Sequence, residues 1–271
     1  MSDPAPTLRW DDLRKRVLSA VVMLAVGVAK LWLGGVPFAV LVCLLIGAMF
    51  WELACMTSPD HRRTPLGVGV LAAASLAGAV VFRDDLAGLL LAIPALALAL
   101  TPRRDRRIAT LYGLCIMVAG FGLIDLRGPG LPAILWLIAV VIASDVSGYF
   151  VGRLVGGPKF WPAISPKKTW SGTVAGWGAA VLVSVGFVMA GNASWIVVLV
   201  APFVALAGQL GDIAESWIKR RSGVKDSSGL IPGHGGVLDR FDALVGAVVL
   251  VMVLGLVTSV PMPGPILLMG P

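Results

Sequence analysis

The sequence predicts an all-α, polytopic integral membrane protein with about nine transmembrane helices and a cytoplasmic N-terminus. Three observations predict this class. The 271 residues are 58% hydrophobic and only 14% charged, against about 45–50% apolar and about 25% charged in soluble domains. A soluble globule of this length has too little interior for so much apolar surface, and disorder needs the opposite bias. Nine apolar runs approach the roughly 17–25 residues that a membrane helix requires. Finally, the 22 Lys+Arg and 15 Asp+Glu, net +7, are sorted between the loops.

Taken in order, residues 1–16 form a polar arm carrying Arg9, Arg14, Lys15 and Arg16. The stretch Leu8–Leu18 has the pattern of a short basic interfacial helix. The first run, Val17–Leu33, leads straight into the second, Val36–Met56, the pattern of a retained helix rather than a cleaved signal. Pro65–Phe82, the short Leu86–Leu100 and Ile108–Ile124 complete an N-terminal set of helices within residues 17–130. Leu131–Val151, Gly172–Ala190, Ser194–Trp217 and Ala243–Val260 form a second set within residues 131–260, followed by a tail at 261–271. Small residues such as Gly67, Gly69, Gly78, Gly113 and Gly120 lie inside the runs, where they let helices approach closely.

With the N-terminus inside, the inner loops collect Arg9, Arg14, Lys15, Arg16, Arg62, Arg63, Arg103, Arg104, Arg106, Arg107, Arg153, Lys159, Lys167, Lys168, Lys219, Arg220, Arg221, Lys225 and Arg240. These are 19 of the 22 basic residues. The outer loops keep Arg83 and Arg127, and Lys30 lies within the first run. This asymmetry supports both the span count and the orientation. It also accounts for the positive charge without a nucleic-acid partner. The run Arg103–Arg107 reads as a topology anchor attracting anionic headgroups. Cys43, Cys55 and Cys115 sit inside apolar runs with no CxxC or Cys/His spacing, so neither a disulfide framework nor a zinc site is expected.

The informative charges break the apolar pattern, in three inner segments of the second half. Asp145 and Tyr149 are four apart near the inner end of the sixth run, hence on one helix face. An acid there is a functional candidate or half of a structural ion pair, and this feature alone does not separate the two. Ser165-Pro166-Lys167-Lys168-Thr169-Trp170-Ser171-Gly172 puts two lysines just before a helix start at Thr169 or Ser171. That arrangement suits phosphate, although a lone Lys-Lys pair is more often a topology anchor. The third segment holds Asp212, Glu215, Ser216, Lys219, Arg220, Lys225, Asp226, His234, Asp239, Arg240 and Asp242. Asp212, Glu215 and Ser216 share one helix face, and Asp239 and Asp242 open the next helix. Acids from two helices beside several cations suit a divalent metal with phosphate ligands. A glycine-flanked histidine serves either to bond the turn or to contact phosphate. No P-loop, dinucleotide fingerprint, HExxH or GxSxG is present. The residues therefore point to phosphoryl or nucleotidyl transfer rather than acyl transfer.

The pattern Ser216-Trp217-Ile218-Lys219-Arg220, Lys225-Asp226, Pro232-Gly233-His234-Gly235-Gly236 and Asp239-Arg240-Phe241-Asp242 resembles the signature of the phosphatidate cytidylyltransferases, the CDP-diacylglycerol synthases. Ser144-Asp145 with Gly148-Tyr149 and Gly152-Arg153, and Ser165–Trp170, resemble two further blocks of that family. Ser171 departs from the pattern, standing where many relatives have Glu. The resemblance implies condensation of CTP with phosphatidic acid to CDP-diacylglycerol and pyrophosphate. It implies a homodimer in the bacterial inner membrane, with the active site facing the cytoplasm. It implies Mg2+ held by Asp212 and Asp239, with K+ as a second ion. The expected catalytic set is Asp145, Asp212, Lys225, Asp226, His234 and Asp239. The expected substrate-binding set is Ser165, Lys167, Lys168, Lys219, Arg220, Gly235, Gly236 and Arg240.

Three other classes stand beside this one. A secondary transporter would show matching broken segments in both halves, and the candidate acids singled out above lie in the second half alone. A CDP-alcohol phosphotransferase would carry a spaced aspartate motif that is absent. A lipid-binding scaffold would use the polar loops only to anchor partners.

Overall fold

The computed structural model describes residues 9–58, 63–82 and 86–257. Residues 1–8, Arg62, Arg83 and the tail at 261–271 lie outside the described residues. Among the described residues the chain forms nine α-helices and one short hairpin. The helices are α1 (Arg9–Leu33), α2 (Gly35–Thr57), α3 (Arg63–Val81), α4 (Leu86–Leu100) and α5 (Arg106–Arg127), then α6 (Pro132–Leu154), α7 (Trp170–Met189), α8 (Ile196–Arg221) and α9 (Leu238–Val257). Each apolar run of the sequence lies within or overlaps one helix. Seven helices are long and apolar enough to cross a membrane, and the protein is an integral membrane protein. The apolar part of α3, Pro65–Val81, and the whole of α4 are shorter. At 1.5 Å per residue the 15 residues of α4 span about 22 Å, less than the roughly 30 Å hydrocarbon core. No separate interfacial helix forms over the described part of Leu8–Leu18, since α1 runs unbroken from Arg9.

Between α6 and α7 lies a two-stranded antiparallel hairpin, β1 (Lys159–Trp161) and β2 (Ser165–Thr169), pairing Lys159 with Thr169 and Trp161 with Ser165. The sequence reads as a glycine- and proline-shaped loop there, because three- and five-residue strands leave no usable periodicity.

The helix ends show how local chemistry sets the boundaries. Thr169 is the N-cap of α7, its hydroxyl accepting from the Gly172 amide at 3.2 Å, as a β-branched hydroxyl does at a helix start. Pro132 opens α6, where its missing N–H costs nothing. Arg103 fills the end of α2, its guanidinium donating to Ala54 O at 3.0 Å and Thr57 Oγ1 at 3.3 Å. Arg127, at the end of α5, donates to Leu31 O at 2.8 Å and Trp32 O at 3.2 Å, and so satisfies terminal carbonyls of α1.

The core runs along α2, α5 and α6, where Phe50, Leu53, Ile116, Met117, Trp136 and Leu137 are fully buried. Trp136 Nε1 donates to Ser184 Oγ at 2.8 Å across α6 and α7. What positions the site is the close approach of the last four helices. A methyl group at Gly172 would overlap the Gly148 carbonyl, and one at Gly211 would overlap the Asp242 carbonyl. Glycine at these crossings lets α7 press on α6, and α8 on α9, at backbone distance. The ends that carry Asp145, Asp212 and Asp239 therefore converge.

Candidate active site

The first half of the site is built on the hairpin. Ser171 Oγ donates to Gly156 O and shares a 3.0 Å hydrogen bond with Thr169 Oγ1. The residue that departs from the sequence pattern thus closes the hairpin on the start of α7. Gly156 and Gly157, at φ +68° and +105°, supply the left-handed turn that side-chain-bearing residues avoid. The hairpin walls a cavity of about 640 Å3 lined by Asp145, Tyr149 and Arg153 of α6, Lys159, Lys167 and Lys168 of the hairpin, and Gln209 and Asp212 of α8. Lys168 Nζ meets Asp212 Oδ2 at 2.5 Å and donates to Gln209 O at 3.2 Å. Arg153 donates to the Tyr149 hydroxyl at 2.8 Å. The buried Gln209 side chain accepts from Trp177 Nε1 at 3.2 Å and donates to Ser144 Oγ at 3.2 Å and Thr173 O at 3.3 Å, tying α6, α7 and α8 together.

The second half is built on the loop between α8 and α9. Lys219 bridges two acids, Glu215 one turn before it and Asp239 Oδ1 at 2.7 Å. Asp239 Oδ2 accepts from Ser227 N at 2.9 Å, Ser227 Oγ at 2.9 Å and Gly236 N at 2.8 Å. A cavity of about 430 Å3 opens beside it, lined by the polar residues Asp145, Asp212, Asp239, Arg240 and Asp242 and by apolar residues that include Ile138, Val141, Ile142, Phe241 and Leu244. Asp145 and Asp212 belong to both cavities. A cation-rich space and an acid-rich, half-apolar space therefore meet at two shared carboxylates. This arrangement suits bringing a polyphosphate next to an amphipathic partner with a cation between them.

The family model that matches residues 14–258 is that of the Cytidylyltransferase family. The chain belongs to the cytidylyltransferase family. A phosphatidate cytidylyltransferase of Brucella abortus biovar 1 is 36% identical over 263 residues, covering 92% of this chain and 96% of the relative. Two further proteins of that name, from Staphylococcus saprophyticus and Staphylococcus epidermidis, are 34% and 33% identical, each covering 86% of this chain and 95% of the relative.

The cytidylyltransferase fold brings only part of the expected residue set to the cavities. Asp145, Asp212, Lys167 and Lys168 line the first, and Asp239 and Arg240 line the second. Lys219 is almost buried against Asp239. His234 does not line either cavity. Its Nδ1 shares a 2.9 Å hydrogen bond with Ser19 Oγ of α1, and its carbonyl accepts from Arg240 Nε at 3.0 Å and Nη2 at 2.5 Å. It holds the turn in which Gly233 and Gly235 take positive φ and Ile231 pairs with Gly235. Lys225 and Asp226 are exposed on the same loop, and exposed Arg220 reaches the Val224 carbonyl at 3.5 Å. Ser165 pairs with Trp161 in the hairpin rather than facing the cavity. Gly236 serves through its amide to Asp239.

Three residues outside the expected set also belong here. Asp242 and Gln209 line the cavities, and Glu52 of α2 reaches the loop from the first half of the chain. An isolated acid inside an apolar run was the available signal for Glu52, the same one that marked Asp145.

The donors suit a hard divalent cation, although among the described residues no group of three or more His, Cys, Asp or Glu is arranged to hold a metal ion. Carboxylates on α8 and α9 face one cavity, and magnesium uses few carboxylates, completing its shell with phosphate and water. The lysine ammonium groups on Asp212 and Asp239 show that both acids already face cationic charge. Asp212 would offer Oδ1 and Oδ2, which here meet Ser216 Oγ at 3.3 Å and Lys168 Nζ at 2.5 Å. Asp239 would offer Oδ1, which here meets Lys219 Nζ at 2.7 Å.

Proposed function

We propose that this protein transfers the cytidylyl group of CTP to phosphatidic acid, giving CDP-diacylglycerol and pyrophosphate. The observation that carries the reading is the meeting of the two cavities at Asp145 and Asp212. The names of the curated relatives support the same substrates. In this reading the triphosphate occupies the cavity walled by Arg153, Lys159, Lys167 and Lys168. The phosphate of phosphatidic acid sits among the polar residues of the second cavity, with its diacyl chains against the apolar ones. Lysine and arginine donors neutralise charge that would otherwise keep two anions apart.

A phosphate oxygen of phosphatidic acid attacks the α-phosphorus of CTP. The bond from that phosphorus to the bridging oxygen breaks, and pyrophosphate leaves with the electron pair. No general base is required, because the attacking phosphate is already ionised near neutral pH. Lys168 orients Asp212, and Lys219 orients Asp239. Asp212 and Asp239 would hold Mg2+, with K+ as a neighbouring ion. When bound, magnesium supplies neutralisation of the triphosphate charge. The site would face the cytoplasm from the bacterial inner membrane in a homodimer, in keeping with the basic inner loops and the family resemblance.

The test is purified protein with labelled CTP, phosphatidic acid and magnesium. Lipid-soluble cytidine and released pyrophosphate in equal amounts are expected. Substrate movement without chemistry would mark a transporter. Consumption of CDP-diacylglycerol would mark a phosphotransferase, and no turnover at all a scaffold.

A further inference from the structure

Glu52, from the first half of the chain, reaches the loop that leads into Asp239. Glu52 lies near the inner end of α2 and is fully buried. A carboxylate removed from water is unfavourable unless its lone pairs are filled. Four donors fill them. Oε1 accepts from Ser228 Oγ at 2.5 Å and Val237 N at 2.9 Å. Oε2 accepts from Ser227 Oγ at 3.2 Å and Leu238 N at 2.7 Å.

Two of these donors are amides at the start of α9, where a helix leaves its N–H groups without internal partners and its dipole favours negative charge. Glu52 therefore caps α9 from another helix. Ser227 Oγ bonds to both Glu52 and Asp239. A methyl group at Gly236 would overlap Ser227 Oγ and the Glu52 carboxylate, so glycine is what lets the loop close on the acid. The body of α9 is already locked to α8 by the Gly211 and Gly246 approach. Apolar contacts would serve equally well to hold α9 in the bundle. The buried charge acts instead on the one turn that carries Asp239 and Asp242.

We propose that Glu52 is a positioning residue for the transfer reaction, holding the 227–238 loop and the first turn of α9 so that Asp239 and Asp242 face Asp212. The inference rests on the cytidylyl-transfer reading of this site.

The test is Glu52→Gln, which places an amide donor against a backbone N–H. The expected kcat per folded molecule falls roughly 10–100-fold, while KM for CTP changes less than about threefold. Tryptic cleavage at Lys225, an exposed residue of the loop, is expected to accelerate relative to cleavage at Lys159 in the hairpin. Ser228→Ala, which removes one donor of four, is expected to give a smaller loss in the same direction. If Glu52→Gln does not fold, Ser228→Ala carries the test with the same readouts. Unchanged kcat overturns the proposal, whether or not cleavage accelerates, and so does a rise in KM alone. Wild-type protein that makes no CDP-diacylglycerol would instead sink the reaction, and the tryptic comparison would still decide whether Glu52 orders the loop.

Discussion

Asp212 and Asp239 carry the same charge at one cavity, yet their surroundings give them different sensitivities. The Asp212 side chain is 32% exposed and pairs with a Lys168 that is 24% exposed. Such a pair contributes on the order of 0–1 kcal/mol. Asp239 is 6% exposed, its partner Lys219 is 11% exposed, and three loop donors converge on its other oxygen. Removing one member of a buried pair costs about 3–5 kcal/mol. Both Asp→Asn variants should abolish CDP-diacylglycerol formation. Asp212→Asn should keep the wild-type melting temperature in detergent, whereas Asp239→Asn should melt several degrees lower. Near-normal turnover in folded Asp212→Asn protein would remove that residue from the reaction. Equal melting temperatures for the two variants would remove the loop-anchoring role of Asp239. The acidity of both positions is plain in the sequence. Their difference is not, because it depends on Ser227 and Gly236 folding back over twelve and three residues onto one oxygen.

At the scale of elements, the basic connection between α4 and α5 is more than a topology anchor. Arg103 caps α2, and the Asp105 carboxylate takes two 2.7 Å bonds from Arg221 at the end of α8. Those bonds hold the Asp105 carboxyl below its ordinary value of 3.8. A depressed carboxyl stabilises the fold above the unfolded value and loses that effect as pH falls through the folded one. Wild type should therefore melt above Asp105→Asn at about pH 6, and the gap should close in acid below the ordinary carboxylate value. A gap that persists there would assign the effect to packing. The helices themselves were legible because long apolar runs between charged loops have few other meanings in a chain this apolar. The hairpin was not, since its strands are too short to show a period. The Glu52 cap was not, since it joins residues about 175–186 positions apart, a relation that linear spacing does not carry. Asp145 stood out as a charge near the end of an apolar run, whereas Lys167 and Lys168 stood out by their place before a helix start, and Asp212 and Asp239 by acids on two successive helices beside several cations.

For the whole molecule, charge sorting and helix length make different demands on α3 and α4. The distribution of basic residues asks for nine crossings, while α3 and α4 offer apolar lengths below those of the other seven helices. The two are adjacent in the chain and packed together. They therefore cross as a pair or turn back as a pair. Either choice leaves every other loop on the same side, so the hairpin and the α8–α9 loop share one face in both topologies. Only the connection between the pair distinguishes them. A short span is accommodated by local thinning at fractions of a kcal/mol per Å. The mismatch of α4, about 8 Å from the lengths above, costs less than placing the apolar face of this pair in water, where each buried side chain is worth about 1.5–3 kcal/mol. Nine crossings are therefore expected. In a background lacking Cys43, Cys55 and Cys115, Leu86→Cys should react with an impermeant maleimide in intact cells, as should Asn192→Cys. Lys159→Cys should react only in inverted vesicles. Reaction of Leu86→Cys from the Lys159 side would show that α3 and α4 turn back without crossing.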